Sequence, residues 1–220
     1  MINFATSFLL KPRTKMQVLS TAYFPPISWM ALLYQQKETI IDLQESYPKQ
    51  SYRNRFSIAT ANGKMNLSIP VKKINGNRTM TQEITLDYSQ NWQQVHWKSI
   101  QAAYQSSPFL LYYEDKIEKL IKAKYDSLFK MNETIIYELS TLIGFGTQIN
   151  YSEEFIPINN THQDFRFTIH PKHSSPFHFP AYEQVFMEKH GFIGDLSILD
   201  LLFNLGPESL NYLEDIKLRQ

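Results

Sequence analysis

The sequence contains no cysteine. Disulfides, thiolate nucleophiles and cysteine-ligated zinc are excluded together, and a reducing, cytoplasmic setting fits. A second absence is a long apolar run: no stretch is long and apolar enough to span a bilayer. Phe4 to Leu10 is apolar but short, and its basic residues Lys11, Arg13 and Lys15 follow rather than precede it. That order is wrong for a secretory signal, so residues 1–15 read as an extension ahead of the domain. Charge of one sign is scarce too. A formal net charge of +1 lacks the basic excess of a general nucleic-acid binder. GxSxG, HExxH and Walker patterns are missing, as is any Gly-rich phosphate fingerprint. What remains is a globular composition, 43% hydrophobic and 20% charged. At 220 residues the chain can bury one sizeable core.

The stretch from Tyr47 to Lys73 reads as a two-stranded hairpin. Asn62-Gly63 is a strong signal for a type I′ turn, which needs φ > 0 at both central residues. A turn there sets Ile58 against Leu67, Phe56 against Ile69 and Arg53 against Lys72. Lys49, Arg53 and Arg55 then share one face of the strand. Two readings compete. Basic residues protect an edge strand from aggregation, or they hold a phosphate or carboxylate.

Around this hairpin the chain divides into two halves. Gln17 to Ala22 reads as a strand, broken by Tyr23-Phe24-Pro25-Pro26. Ser28 caps a helix to about Gln36, and Thr39 to Leu43 is a second strand. Strand, helix and strand make a candidate βαβ unit. Glu83 to Asp87 is one more short strand. From Asn91 the apolar period changes to 3.6, predicting helices from Asn91, from Pro108 to about Lys124, and from Asp126 to Ile143. Residues 147–193 show no sustained period and hide short strands or a lid. Ser197 caps a final helix, which Gly206-Pro207 ends before another begins. The expected fold is α+β: a mixed sheet, from the βαβ start plus the β-hairpin, packed by a mostly helical second half. One domain over 16–220 is expected.

Three constellations bear on chemistry. His96 lies one helical turn from Trp92 and from Ile100, where a histidine is either a core residue with a satisfied hydrogen bond or a general base. Asp42, Glu45 and Asp87 are candidates to orient its ring. The Tyr23-Phe24-Pro25-Pro26 loop leads into a helix N-terminus that can receive an anion, or it is a rigid aromatic turn in the core. His170, His173 and His178 have no second motif beside them, so no metal site is expected.

These motifs in their order resemble one family. Tyr23-Phe24-Pro25-Pro26, Lys49 with Tyr52-Arg53-Asn54-Arg55, Leu67-Ser68-Ile69-Pro70-Val71, Trp92 with His96, Tyr104 with Pro108-Phe109, and Leu196 to Asn204 with Gly206-Pro207 are similar to the WbqC-like protein family, from about Met16 to Leu213. The resemblance implies a role in O-antigen or other surface-polysaccharide biosynthesis, with a glycine, acyl or sugar-modifying transfer as the suggested reaction. On that reading Lys49, Arg53, Asn54 and Arg55 bind an activated sugar or acyl donor. His96 takes a proton from the attacking group, and Tyr23 and Trp92 line the pocket. The alternative is a non-catalytic module for a nucleotide-sugar or a partner. No cofactor is assigned.

Overall fold

Gln17–Ser20 forms β1, and all four of its side chains are buried. The structure, a computed structural model, describes residues 16–36, 38–146, 149–158 and 163–219. The extension expected at residues 1–15 lies outside the described residues. After β1 the chain forms α1 (Ile27–Gln35) and β2 (Thr39–Asp42). β2 runs parallel to β1, from Gln17 opposite Thr39 to Ser20 opposite Asp42, as a βαβ start requires. The N-cap of α1 is Pro26, not Ser28. Ser28 instead donates both its backbone N–H and its hydroxyl to the Asp195 carboxylate, each at 2.9 Å.

The hairpin pairs β3 (Arg55–Thr60) with β4 (Gly63–Ser68), but two residues away from the predicted register. Ile58 faces Met65, and Phe56 faces Leu67. The turn chemistry explains the shift. Neither Ala61 nor Asn62 adopts φ > 0, whereas Gly63 does, at +97°. The glycine therefore ends the turn as its left-handed residue, a use common in slightly longer hairpin loops. A slide of two residues keeps every side chain on its own face, so Phe56 and Ile58 still point inward. Arg53 precedes the strand and does not face Lys72. That lysine sits in β5 (Val71–Lys72), paired with β6 (Thr85–Leu86), opposite Thr85.

The helical half follows as α2 (Trp92–Tyr104), α3 (Leu110–Lys122) and α4 (Leu128–Ile143). Ser127 caps α4 by accepting from the Lys130 N–H, and Gly144, at φ +99°, closes it. The aperiodic segment does hide strands: β7 (Asn150–Tyr151), β8 (Gln163–Asp164) and β9 (Phe177–His178), followed by α5 (Met187–His190). β7 and β8 join the first sheet, in the order β7-β2-β1-β8, with all neighbours parallel. The chain closes with α6 (Ile198–Leu205), α7 (Ser209–Asp215) and β10 (Lys217–Leu218), which pairs with β9. Ser197 caps α6 through the Leu199 N–H, as predicted. The chain is thus α+β, a parallel sheet with antiparallel hairpins. A single apolar cluster takes Leu19, Ile41 and Phe56 from the strands and Trp29, Ile100, Ile117, Ile135 and Leu202 from the helices. Among the described residues no helix is long and apolar enough to cross a membrane.

Candidate functional site

The parallel sheet directs the carboxyl ends of its strands to one edge. In such sheets ligands bind outside that edge, where neighbouring strands lead their connections in opposite directions. Here the central β1 has β2 on one side and β8 on the other. β2 ends on Asp42 and β8 on Asp164, and the segments beyond them supply Glu45, Arg53 and Arg166. Arg166 reaches back across the edge. Its guanidinium pairs with Asp164 at the end of its own strand and with Asp42 at the end of β2. Asp42 also accepts from the Ser152 hydroxyl at 2.8 Å, which ties in the segment after β7. All the outer connections thus meet at one charge cluster.

Arg53 forms the second pair. Its Nε and one terminal nitrogen each donate to a Glu45 oxygen at 2.6 Å. Arg53, Glu45, Arg166 and Asp42 are all buried. The Arg53 carbonyl accepts from Asn132 of α4 at 2.8 Å, and Asn132 also donates to Thr21 after β1. Breaking a buried pair by removing one partner is strongly destabilising, so the cluster rigidifies the edge. Its guanidinium forks are filled from within. Arg53 is therefore a support under the site, rather than a free fork at its surface.

Above this floor stands a basic rim. Lys49, Arg55, Lys73 and Lys172 form no ion pair among the described residues. The Lys73 ammonium lies 4.8 Å from the Tyr47 ring centroid, and burial and the charge of Lys49 push its pKa down. The His170 and His173 rings are 4.8 Å apart. Burial, then the charges of His173, Arg53, Lys172 and Arg55, hold the His170 pKa below its ordinary value. The Lys172 N–H donates to His170 Nδ1 at 3.2 Å, so a neutral His170 ring carries its proton on Nε2. Asn54 serves the hairpin: its side-chain amide donates to the Ile69 carbonyl at 2.7 Å.

His96 stands apart from the rim. Its ring packs on Phe56, 5.6 Å between centroids, and on Trp92, 5.3 Å. Arg55 precedes Phe56 on β3 and points to the opposite face, where its Nε donates to the Ser68 hydroxyl. The Ser68 carbonyl accepts from the His96 ring. A carbonyl can only accept, so His96 Nδ1 takes its bond from the Tyr23 hydroxyl, at 3.1 Å. Asp42 and Glu45 hold the two arginines and Asp87 accepts from Ser89 and Lys72, so none of the three orients this ring. Burial drives the His96 pKa down to about 4. Tyr23 and Phe24 are fully buried, and Phe24 is held at φ +40°, a strained value for a bulky residue. Tyr23 therefore belongs to the core and does not line a pocket. Trp92 and His96 do line a cleft of about 270 Å³ with Ser68, Asn66, Gln90 and Asn91, and the Ser68 hydroxyl is the group that holds Arg55.

The N-terminus of α1 is already filled by a carboxylate of this chain. Asp195, itself at φ +52°, takes the place expected for an external anion. A further carboxylate, Asp200, is buried without a cation. It accepts from Tyr104, Tyr182 and Gln184 and so joins α2 to α6. Among the described residues no group of histidines and carboxylates is arranged to hold a metal ion.

Arg166, Asp164 and Asp195 carry this architecture and have no motif signal. Arg166 lies between two phenylalanines in the aperiodic segment, and only the sheet order brings it to Asp42.

Comparison with known proteins agrees with the order of these motifs. An uncharacterised protein of Mycobacterium tuberculosis (strain ATCC 25618 / H37Rv), Rv1507c, is 22% identical over 225 residues, covering 90% of this chain and 97% of its own. No solved structure matches. The WbqC-like protein family model matches residues 21–175, from the loop after β1 through both arginines to the histidine pair, and the chain belongs to that family.

Proposed function

We propose that the protein binds an anionic small molecule, an activated sugar or acyl donor, over the carboxyl edge of the parallel sheet. The observation behind this reading is the group of lysines and Arg55 without ion-pair partners, set beside His170 and His173 above the buried Arg53–Glu45 pair. Charge-assisted hydrogen bonds to phosphate or carboxylate are the strong ones, and these side chains are the donors at hand. The transfer reaction of surface-polysaccharide synthesis rests on the family resemblance. A non-catalytic binding role is the second reading. It is favoured by the burial of His96, whose ring nitrogens are both engaged by groups of this chain, the Tyr23 hydroxyl and the Ser68 backbone.

A thermal-shift screen of the full chain against nucleotide sugars and acyl carriers tests the binding. A ligand at a hundred times its Kd stabilises by about 2.7 kcal/mol. Lys49→Gln/Arg55→Gln should weaken the ligand found by about 1.5–3 kcal/mol per lost charged hydrogen bond. Full binding by that double variant refutes the site. Turnover of the bound donor, followed by mass spectrometry, separates transferase from binding module.

A further inference from the structure

His170, Pro171, Lys172 and His173 form a turn. The His173 N–H donates to the His170 carbonyl at 3.1 Å, and Pro171 sits second, where its fixed φ is favoured. Lys172, third, is not at positive φ, which excludes a type II turn. The residue before the turn, Ile169, is buried in the core and anchors it. Asp, Asn and Ser are the usual first residues of such turns, because their side chains accept the N–H two positions on. Here His170 does that through Nδ1, 3.2 Å from the Lys172 nitrogen. An imidazole differs from those side chains in one respect. On taking up a proton it becomes a donor at both nitrogens. Protonation of His170 therefore breaks the bond and releases the Lys172 N–H.

The groups around the ring oppose that proton. The His173 ring lies 4.8 Å away, centroid to centroid. Lys172 acts on it from the same turn, and Arg55 of β3 and Arg53 before that strand act from the hairpin. Arg53 is matched by Glu45, but Lys172 and Arg55 form no ion pair among the described residues. A bound anion reverses the balance. Its charge offsets the repulsion, and its oxygens accept from the imidazolium and from the released backbone N–H. We infer that the anion binds together with one proton from solvent, held on His170, so that His170 Nδ1–H and the Lys172 backbone N–H become its donors. This rests on the anion-binding reading above and names how that site responds to pH. Burial and the neighbouring cations hold the free ring's pKa below its ordinary value, and the anion moves it up. Affinity therefore rises as pH falls through the value in the complex and levels off below the value in the free protein.

The test uses the full chain with two inorganic anions, sulfate and pyrophosphate, against chloride at equal ionic strength. Sulfate keeps its own charge between pH 5 and 8, so its affinity reports protons taken up by the protein alone. Calorimetric titration should show that affinity rising, as pH falls, by up to about tenfold per pH unit, the limit for one proton. NMR of the histidine rings should show the His170 titration moving to higher pH in sulfate or pyrophosphate, with His178, outside the turn, unmoved by either. His170→Gln keeps a side-chain acceptor for the Lys172 N–H and cannot be protonated, so its sulfate affinity should not vary with pH. A His170 ring that titrates at the same pH with and without a bound anion overturns the inference and leaves the anion site standing. So does a pH dependence that survives in His170→Gln. Binding of neither anion at any pH in this range overturns the anion site along with it.

Discussion

Acid should reveal His96 as a core residue. Its pKa falls from 6.5 to about 4 in the folded chain, because burial among Tyr23, Phe56 and Trp92 penalises the charged ring. The unfolded chain keeps the ordinary value. Between those limits the unfolded state binds a proton that the folded state does not, so stability falls as pH falls. The full contribution is present above pH 6.5 and is lost on the way to pH 4. Each pH unit is worth about 1.36 kcal/mol, and between pH 7 and 4.5 the loss is about 2.5 kcal/mol. In a chain of this size that lowers Tm by roughly 5–10 °C. Buried carboxylates add slopes of their own, so a difference is the clean observable. His96→Gln keeps one acceptor for the Tyr23 hydroxyl and one donor for the Ser68 carbonyl, and it cannot titrate. Urea unfolding of both proteins from pH 7 to 4.5 should show the wild type losing about 2.5 kcal/mol more than the variant. Parallel curves would refute the reasoning. They would mean that His96 titrates near its ordinary value, as an accessible base would.

Two further predictions concern the edge and its support. Arg53→Gln should cost about 3–5 kcal/mol, because it leaves the Glu45 carboxylate buried and unpaired. Arg55→Gln should stay within about 0.5 kcal/mol, because Arg55 makes one hydrogen bond near the surface and no ion pair. Denaturant midpoints distinguish the two, and equal costs would show that Arg53 is not the buried support. At α1, Asp195→Ala should cost about 2 kcal/mol, losing two hydrogen bonds to Ser28 and leaving alanine in the left-handed region. Asp195→Asn should cost less, since asparagine tolerates that conformation and keeps one acceptor. A reversed order in Tm would remove Asp195 as the anchor of α1.

The elements that repeat a period were legible. The 3.6 spacing from Trp92 to Tyr104 puts Trp92, His96, Ile100, Ala103 and Tyr104 inside, while Val95, on the same expected stripe, is exposed and Trp97 is buried in its stead. Ser197 and Gly144 mark helix ends through local chemistry, a side-chain acceptor at one and a left-handed backbone at the other. The hairpin was legible in its faces but not its register. Asn-Gly admits more than one turn, and burial of Phe56 and Ile58 is satisfied by any even shift. The strands β7 and β8 were not legible. Each is two residues long, too short to show alternation, and each is specified by the backbone of β2 or β1 beside it.

The site was half legible for a related reason. Lys49 and Arg55 stand out in the sequence because basic residues clustered near a hairpin are visible without a fold. Arg53 looks the same as Arg55, two positions on, yet the structure separates them. The chain has not entered the strand at Arg53, so alternation does not apply there. Glu45 is eight residues earlier and turns one of the two arginines inward. The buried partners of such a pair must come from loops that converge in space, and Asp42, Glu45, Asp164 and Arg166 do so only once four parallel strands are aligned. The sequence order therefore displays the charges that face solvent and conceals those that hold the edge together. A rim of cations without ion-pair partners among the described residues, beside a floor of matched ions, leaves the outer charge to solvent while the support stays rigid. That division is why substitutions at Arg53 and Arg55, alike on the page, should separate into loss of stability and loss of binding.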